Sequence, residues 1–367
     1  MIEADIAVIG AGPAGAVCAL NLAPLHRVLL IDRQVEPRAR IGESLIPAVR
    51  RLFGDMRLWD SFVAQGHMPH HGNRSIWGSP GTTETQALRD LDGAGWHLDR
   101  ARFEQWLRGH ARDRGAAILT GTFPRDLRQS PTGWCFELEI DGRAIPACAR
   151  LIVDATGRSA SIARSLGARR TADDRLVCGW FYCAERDAMA SGLTDIQAEA
   201  DGWWYTAPLP SGRRVIAFHT DADLPAAEDA ADPDRLRGRL RDRGILSDLL
   251  HDIEPGSVEA GFCAAHGAML DRPVGSSWLA VGDAALSFDP LSSQGLFNAI
   301  YTGLAGAESA DRHLSGDGSA LGEYASRIAS IRDAYQTHLS AWYGMERRWA
   351  DQPFWRRRLV MNPSVPA

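Results

Sequence analysis

Three glycines near the start of the chain stand at the spacing that phosphate chemistry needs. Gly10-Ala11-Gly12-Pro13-Ala14-Gly15 is a GxGxxG run. Gly10 makes a tight turn, Gly12 lets the backbone approach a pyrophosphate, and Gly15 lets a helix pack closely on a strand. Pro13 and Ala14 then open a helix whose positive end would hold the phosphates. Asp32, followed by Arg33, comes about twenty residues on, where an acid accepts from a ribose hydroxyl. Three further titratable residues are candidates for proton chemistry: Glu43, His97 and His219. The six cysteines (Cys18, Cys135, Cys148, Cys178, Cys183, Cys263) are scattered, form no CxxC pair, and are expected to be reduced and mostly buried. No metal site is expected. All 40 basic residues are arginine, so no mechanism that requires a lysine ammonium can operate here.

The elements around the glycine run give it meaning. A short apolar strand, Asp5 to Ile9, leads into it. A helix from Ala14 to Leu22 follows, and a second strand, Arg27 to Ile31, ends in Asp32-Arg33. This is the strand, glycine turn, helix and acid order of a dinucleotide-binding fold, and it does not by itself separate NAD from FAD. The 367 residues suit one large or two medium domains. A net charge of -6 gives no electrostatic footprint for nucleic acid. No apolar run is long enough to span a bilayer, and no leader is visible before the first strand, so a cytoplasmic location is expected.

Further along, Asp99 is placed to cap a helix from Arg100 to Arg112 that Gly115 ends. Asp141-Gly142 marks a hairpin between Trp134–Ile140 and Arg143–Cys148. Leu151 to Asp154 is an apolar strand closing on Ala155-Thr156-Gly157. Residues 175–265 read as antiparallel strands, with Asp232-Pro233 marking a loop and helix start. Residues 320–350 carry Leu321, Tyr324, Ile328, Ile331, Tyr335, Leu339 and Trp342 at helical spacing. The tail around Trp349 and Phe354-Trp355-Arg356-Arg357-Arg358 reads as a helix end docking on the body.

Two segments resemble the FAD-binding family that includes aromatic hydroxylases of the p-hydroxybenzoate hydroxylase fold. The first is Gly282-Asp283 with Gly295-Leu296 beyond it, and the second is the strand closing on Ala155-Thr156-Gly157. The resemblance implies FAD, with Asp283 on the ribityl chain and the helix start at Gly295-Leu296 facing the flavin pyrimidine. Helix amides there would stabilise negative charge on a reduced flavin. Gly42-Glu43-Ser44-Leu45-Ile46-Pro47 is similar to the segment that covers the flavin in flavin halogenases and geranylgeranyl-reductase-like proteins. Arg100 matches the family's arginine near the FAD phosphates. Thr156-Gly157 stands where the hydroxylases carry Asp-Gly, which puts direct NADPH docking in doubt.

The fold implied is α/β: a discontinuous Rossmann-like FAD domain of the glutathione reductase type, an antiparallel substrate sheet, and C-terminal helices. The domains are expected at 1–70, 96–172 and 266–312 for FAD, 71–95 and 173–265 for substrate, and 313–367 for the helical segment.

Three chemistries share these motifs. Halogenases resemble one another in an active-site lysine and a WxWxIP motif. This chain has no lysine, and its nearest match is Trp203-Trp204-Tyr205-Thr206-Ala207-Pro208. Prenyl reductases would need a long apolar tunnel, whereas the middle region is rich in Trp, Tyr, Arg and His. Hydroxylation of an aromatic ring with O2 is the favoured reading, with NAD(P)H or a separate reductase as electron donor. The segments Gly42–Pro47, Gly72–Ser79, Gly95–Arg100 and Phe354–Arg358 also look like the flavoprotein maturases of quinone-cofactor oxidases. Those oxygenate a tryptophan of a partner protein, making cysteine tryptophylquinone. A non-catalytic flavoprotein that holds an oxidase precursor stays open as an alternative.

Overall fold

The computed structural model describes residues 1–86, 92–185, 192–240 and 259–360. The remaining parts of the expected substrate domain (71–95 and 173–265) and of the helical segment (313–367) lie outside the described residues.

The first sheet is built on continuous apolar runs, the pattern of strands buried on both faces. Its parallel strands lie in the order Trp278–Ala280, Arg143–Asp154, Ile2–Ile9, Val28–Asp32 and Ala117–Thr120, and Val274–Gly275 adds an antiparallel edge. The register puts Ile9 beside Ile31 and Asp154, and Asp154 beside Ala280. The carboxyl ends of the central strands therefore finish together, where open α/β sheets bind ligands. The helix Pro13–Leu22 is buried almost all round because it lies between this sheet and the helices Arg100–Asp113 and Gly295–Leu314. Where Gly303 meets it, an added Cβ would stand 2.5 Å from the Ala14 carbonyl oxygen.

Strands Arg125–Ser130 and Gly133–Ile140 extend this sheet as a hairpin with Arg143–Asp154. Asp141 and Gly142 take the positive φ values, 50° and 71°, that a two-residue hairpin turn requires. Cys135 and Cys148 face each other in this hairpin and are joined as a disulfide, so the expectation that all six cysteines are reduced fails for these two. A hairpin brings its cross-strand positions together whatever their sequence separation, and scattered spacing hid that. Cys18, Cys178 and Cys183 are free and buried, and Cys263 is free and half-buried.

Among the described residues the second sheet has seven strands in the order Ala260–Ala264, Leu176–Ala184, Arg213–Asp221, Gly202–Pro208, Leu193–Glu199, Gly72–Ile76 and Thr83–Gln86. It is antiparallel apart from the contact of Leu193–Glu199 with Gly72–Ile76, which is parallel. Alternation divides its two faces. Phe181, Cys183, Trp204, Ile216 and Phe218 pack under the helices Ala226–Ala231 and Pro233–Leu240. Asp232 ends the first of these helices and Pro233 starts the second, the break and helix start expected there. The opposite face carries Cys178, Trp180, Tyr182, Ala217, His219, Trp203 and Tyr205 and meets the first domain.

The long helix Ala320–Met345 buries Leu321, Tyr324, Ile328 and Tyr335 but leaves Trp342 exposed. The closing helix Pro353–Val360 inserts Phe354 and Trp355, both fully buried, against the second sheet. There the Trp355 indole donates to the Glu199 carbonyl at 2.6 Å. Among the described residues no helix is long and apolar enough to cross a membrane.

Candidate functional site

The three separated glycine motifs touch one another at the ends of the parallel strands. A Cβ on Gly10, at φ 108°, would lie 2.2 Å from the Ala155 carbonyl oxygen, and one on Gly15 would lie 1.8 Å from the Gly10 carbonyl oxygen. A Cβ on Gly282 would lie 2.6 Å from that of Ala14. Gly12 differs from all of these, since nothing stands within 4 Å of the position its Cβ would take. Its backbone is extended at φ -70°, and no side chain caps the helix that begins after it. The helix Gly295–Leu314 likewise starts without a side-chain cap, and the Cβ position of Gly295 is open. Two helix N-termini with free approach are what an anionic cofactor requires.

Asp32 ends its strand with one carboxylate oxygen accepting from the Ala11 amide at 2.6 Å and from Arg108 at 3.2 Å. Its other oxygen accepts from the Gln34 amide at 2.7 Å. Arg108 is buried and also donates to the Ala11 carbonyl at 2.9 Å, so it ties the glycine turn to the acid. Sequence reading missed it. The available signal was a lone arginine within the apolar stripe Phe103, Trp106, Leu107 and Ala111. Arg33 stands apart, its guanidinium 4.8 Å over the Phe123 ring.

Arg100 follows Asp99, whose carboxylate caps the helix by accepting from the Arg102 amide. It donates to the Gly42 carbonyl at 2.6 Å and to Glu104 at 2.7 Å. Its Nε and one Glu104 oxygen are buried without partners. Arg100 therefore holds the Gly42-Glu43-Ser44 segment and keeps donor capacity in reserve. Asp283 sits beside Arg158, 3.6 Å from its Nε, and its carbonyl accepts from Arg170 at 2.8 Å. The Gly282 amide donates to Thr302. Leu296 is buried behind the helix start. The open position at Gly12, the two uncapped helix starts and the partnerless Arg100 Nε together fit a dinucleotide with a flavin at its far end.

Across from these elements, two tyrosines of the second sheet reach the first domain. Tyr182 donates its hydroxyl to Glu43 at 2.8 Å, and Tyr205 shares a hydrogen with Ser44 at 3.0 Å. Glu43 is 1% exposed, and its second oxygen accepts from the Gly42 amide. Burial pushes its carboxyl above the usual range, while the Tyr182 bond pulls the other way. Each oxygen has a donor within the protein, so Glu43 latches its segment to the sheet. His97 is fully buried, pairs with Thr194 at 3.0 Å and lies 4.9 Å from the His70 ring. His219 stacks on Trp203 at 3.7 Å between centroids. Burial lowers both imidazoles to about 3 and keeps them neutral. Glu43 and His97 lie on neighbouring paired segments, the Leu98 amide donating to the Glu43 carbonyl at 2.9 Å, while His219 stands on the second sheet. Trp180 and Tyr205 remain partly exposed on the inner face.

The sequence profile of the tryptophan halogenase family matches residues 5–74 and 79–365. The chain belongs to this family. It is an FAD-dependent oxidoreductase. The chain is 30% identical to the FAD-dependent oxidoreductase LodB of Marinomonas mediterranea, over 96% of each chain. Among solved structures, the chondrochloren halogenase CndH superposes with a TM-score of 0.89 at 24% identity, covering 99% of this chain and 87% of that one. The peptidyl tryptophan dihydroxylase QhpG, essential for tryptophylquinone cofactor biogenesis, superposes with a TM-score of 0.77 at 25% identity. That match covers 100% of this chain and 80% of QhpG. The fold class and the cofactor expected from the glycine motifs are those of this family.

Proposed function

We propose that this member of the family is a monooxygenase that hydroxylates an aromatic ring, and that the ring is the indole of a tryptophan in a partner protein. One observation carries the choice within the family: the chain contains no lysine. The halogenases resembled above use a lysine amine, and arginine cannot become a neutral amine nucleophile near neutral pH. The likeness to a peptidyl tryptophan dihydroxylase over the whole chain supports the substrate class. So do Trp180 and Tyr205, the aromatic side chains that stay partly exposed on the inner face.

In this reading residues 1–70, 96–172 and 266–312 hold FAD, 71–95 and 173–265 form the substrate wall, and 313–367 brace it. Gly10, Gly12, Pro13, Ala14 and Gly15 cradle the pyrophosphate, Asp32 takes the ribose, and Arg33 lies at the adenine end. Gly42, Glu43, Ser44 and Arg100 close over the cofactor, and Asp283, Gly295 and Leu296 face its flavin end. Reduced FAD supplies the electrons that activate O2. The balance is one ring C–H, O2, two electrons and two protons giving one ring C–OH and water. The chain's own part is to bind, orient and exclude water. The Tyr182–Glu43 and Tyr205–Ser44 bonds hold the covering segment against the sheet, and Trp180 presents an apolar surface to a planar ring. Electrons come from NAD(P)H or a separate reductase.

The test supplies reduced holoprotein, O2 and bromide to a tryptophan-bearing precursor of a tryptophylquinone enzyme. Mass increments of 16 or 32 on that tryptophan are expected. A bromine isotope pattern would instead assign halogenation, and binding without any mass change would leave a non-catalytic carrier of the precursor.

A further inference from the structure

The inner face of the second sheet carries a pair of thiols that the proposed oxygenation does not use. Cys178 and Cys263 stand directly opposite each other on the antiparallel strands Leu176–Ala184 and Ala260–Ala264. Backbone bonds from the Ala265 amide to the Leu176 carbonyl and from the Tyr182 amide to the Glu259 carbonyl fix the phase of this ladder. The Cys178–Cys263 position is therefore a hydrogen-bonded pair, whose Cα atoms lie about 5.5 Å apart. That is the commonest separation for a disulfide. The same chain already closes one in-register cross-strand pair, Cys135–Cys148, at a non-hydrogen-bonded position with its Cα atoms 4.2 Å apart.

The surroundings favour reaction. Cys178 is fully buried, while Cys263 is half-buried and thus reachable. Trp180 lies on the same face one pair further along, over Gly261, where a Cβ would stand 2.6 Å from its ring. Arg158, which pairs with Asp283, contributes positive charge at Cys263. Hydrogen bonding from Cys178 is the main cause that brings the Cys263 thiol down to about 7, whereas burial pushes Cys178 well up. The half-buried sulfur beside Arg158 is thus the more readily deprotonated of the two.

We propose that Cys178 and Cys263 form a peroxide-oxidisable dithiol in the wall of the flavin chamber, closing to a second cross-strand disulfide. The Cys263 thiolate attacks one oxygen of hydrogen peroxide, forms an S–O bond and releases hydroxide as the O–O bond breaks. The Cys178 sulfur then attacks Cys263, and the S–O bond breaks; the hydroxyl leaves with the Cys178 proton as water. Two thiols and one peroxide give one disulfide and two waters, with two electrons passing from sulfur to oxygen. Reduced flavin that meets O2 with no ring present is the nearby source of peroxide. That part rests on the oxygenase reading, whereas the reactivity of the pair does not.

The experiment uses the FAD-loaded full chain in two arms. One receives one equivalent of hydrogen peroxide; the other is photoreduced without oxygen and then opened to air without substrate. Free thiols are blocked with N-ethylmaleimide, the protein is cleaved after arginine, and the peptides are weighed. A peptide pair joined through Cys178 and Cys263, two mass units lighter than the separate dithiol peptides and absent from Cys263→Ser, is expected in both arms. Its absence from the peroxide arm, with both cysteines recovered as maleimide adducts or with Cys263 as sulfinic acid, overturns the proposal. A joined pair in the peroxide arm alone upholds the dithiol and counts against the oxygenase reading of the flavin.

Discussion

Gly12→Ala separates the folding role of the glycine motif from its binding role. At Gly12 the backbone is extended at φ -70°, which alanine adopts freely, and no atom stands within 4 Å of the added methyl. Alanine reduces unfolded-chain entropy, worth about 0.4–1 kcal/mol, and is a slightly poorer helix cap than glycine. These oppose each other, so the apo-protein should keep its stability to within about 0.5 kcal/mol. The methyl does, however, enter the open approach to the helix start. Displacing the pyrophosphate there loses at least one hydrogen bond to a charged group, about 1.5–3 kcal/mol, or a roughly 10- to 100-fold weaker FAD affinity. Gly15→Ala should behave in the opposite way. Its Cβ would be 1.8 Å from the Gly10 carbonyl oxygen, so the helix must move off the strand and the fold itself suffers. Urea denaturation of apo-protein and a fluorescence titration with FAD measure the two quantities. Gly12→Ala that folds normally and binds FAD with unchanged affinity refutes the placement of the pyrophosphate.

Arg108→Met removes the buried cation that joins Ala11 and Asp32; a loss of about 3 kcal/mol in urea unfolding is expected, because the acid is left without its counter-charge. Tyr182→Phe leaves one oxygen of buried Glu43 without its donor and should cost about 1–3 kcal/mol. Much of that loss should return in the double variant Tyr182→Phe with Glu43→Gln, measured as a double-mutant cycle. His219 is held neutral by burial, its imidazole lowered to about 3. The unfolded chain binds a proton there below about pH 6.5 and the folded chain does not, so the stability this group contributes is full above that pH and falls as the pH drops. His219→Phe should therefore flatten the stability-against-pH curve by about 1.2 kcal/mol per pH unit between about pH 5 and 6. Curves of equal slope for the two proteins would mean that His219 is not buried as a neutral ring.

The glycine turns were legible because their close packing constrains the backbone itself. Gly10 and Gly15 carry their geometry in their residue type, and Asp99 announces its helix by the side chain it uses as a cap. The inner face of the second sheet was harder to read. Tyr182 and Tyr205 meet Glu43 and Ser44 only because two domains close on each other, and no local pattern encodes that approach. Glu43, His97 and His219 were singled out by chemical type. Their placement depends on long-range packing, which gave Glu43 two partners and stacked His219 on Trp203. The Cys135–Cys148 bond was missed for a similar reason, although the Asp141-Gly142 turn fixes its register. Reading the cysteines against that hairpin would have found it.

The choice of oxygen over halogen is tested most directly by isotope and mass together. Reduced holoprotein, 18O2 and excess bromide are given to the tryptophan-bearing precursor, and the modified peptide is weighed. The expected result is an increment of 18 for each inserted oxygen, located on one tryptophan and dependent on bound FAD, with no bromine pattern. A bromine doublet on that residue, or oxygen that carries no 18O label, would contradict the account.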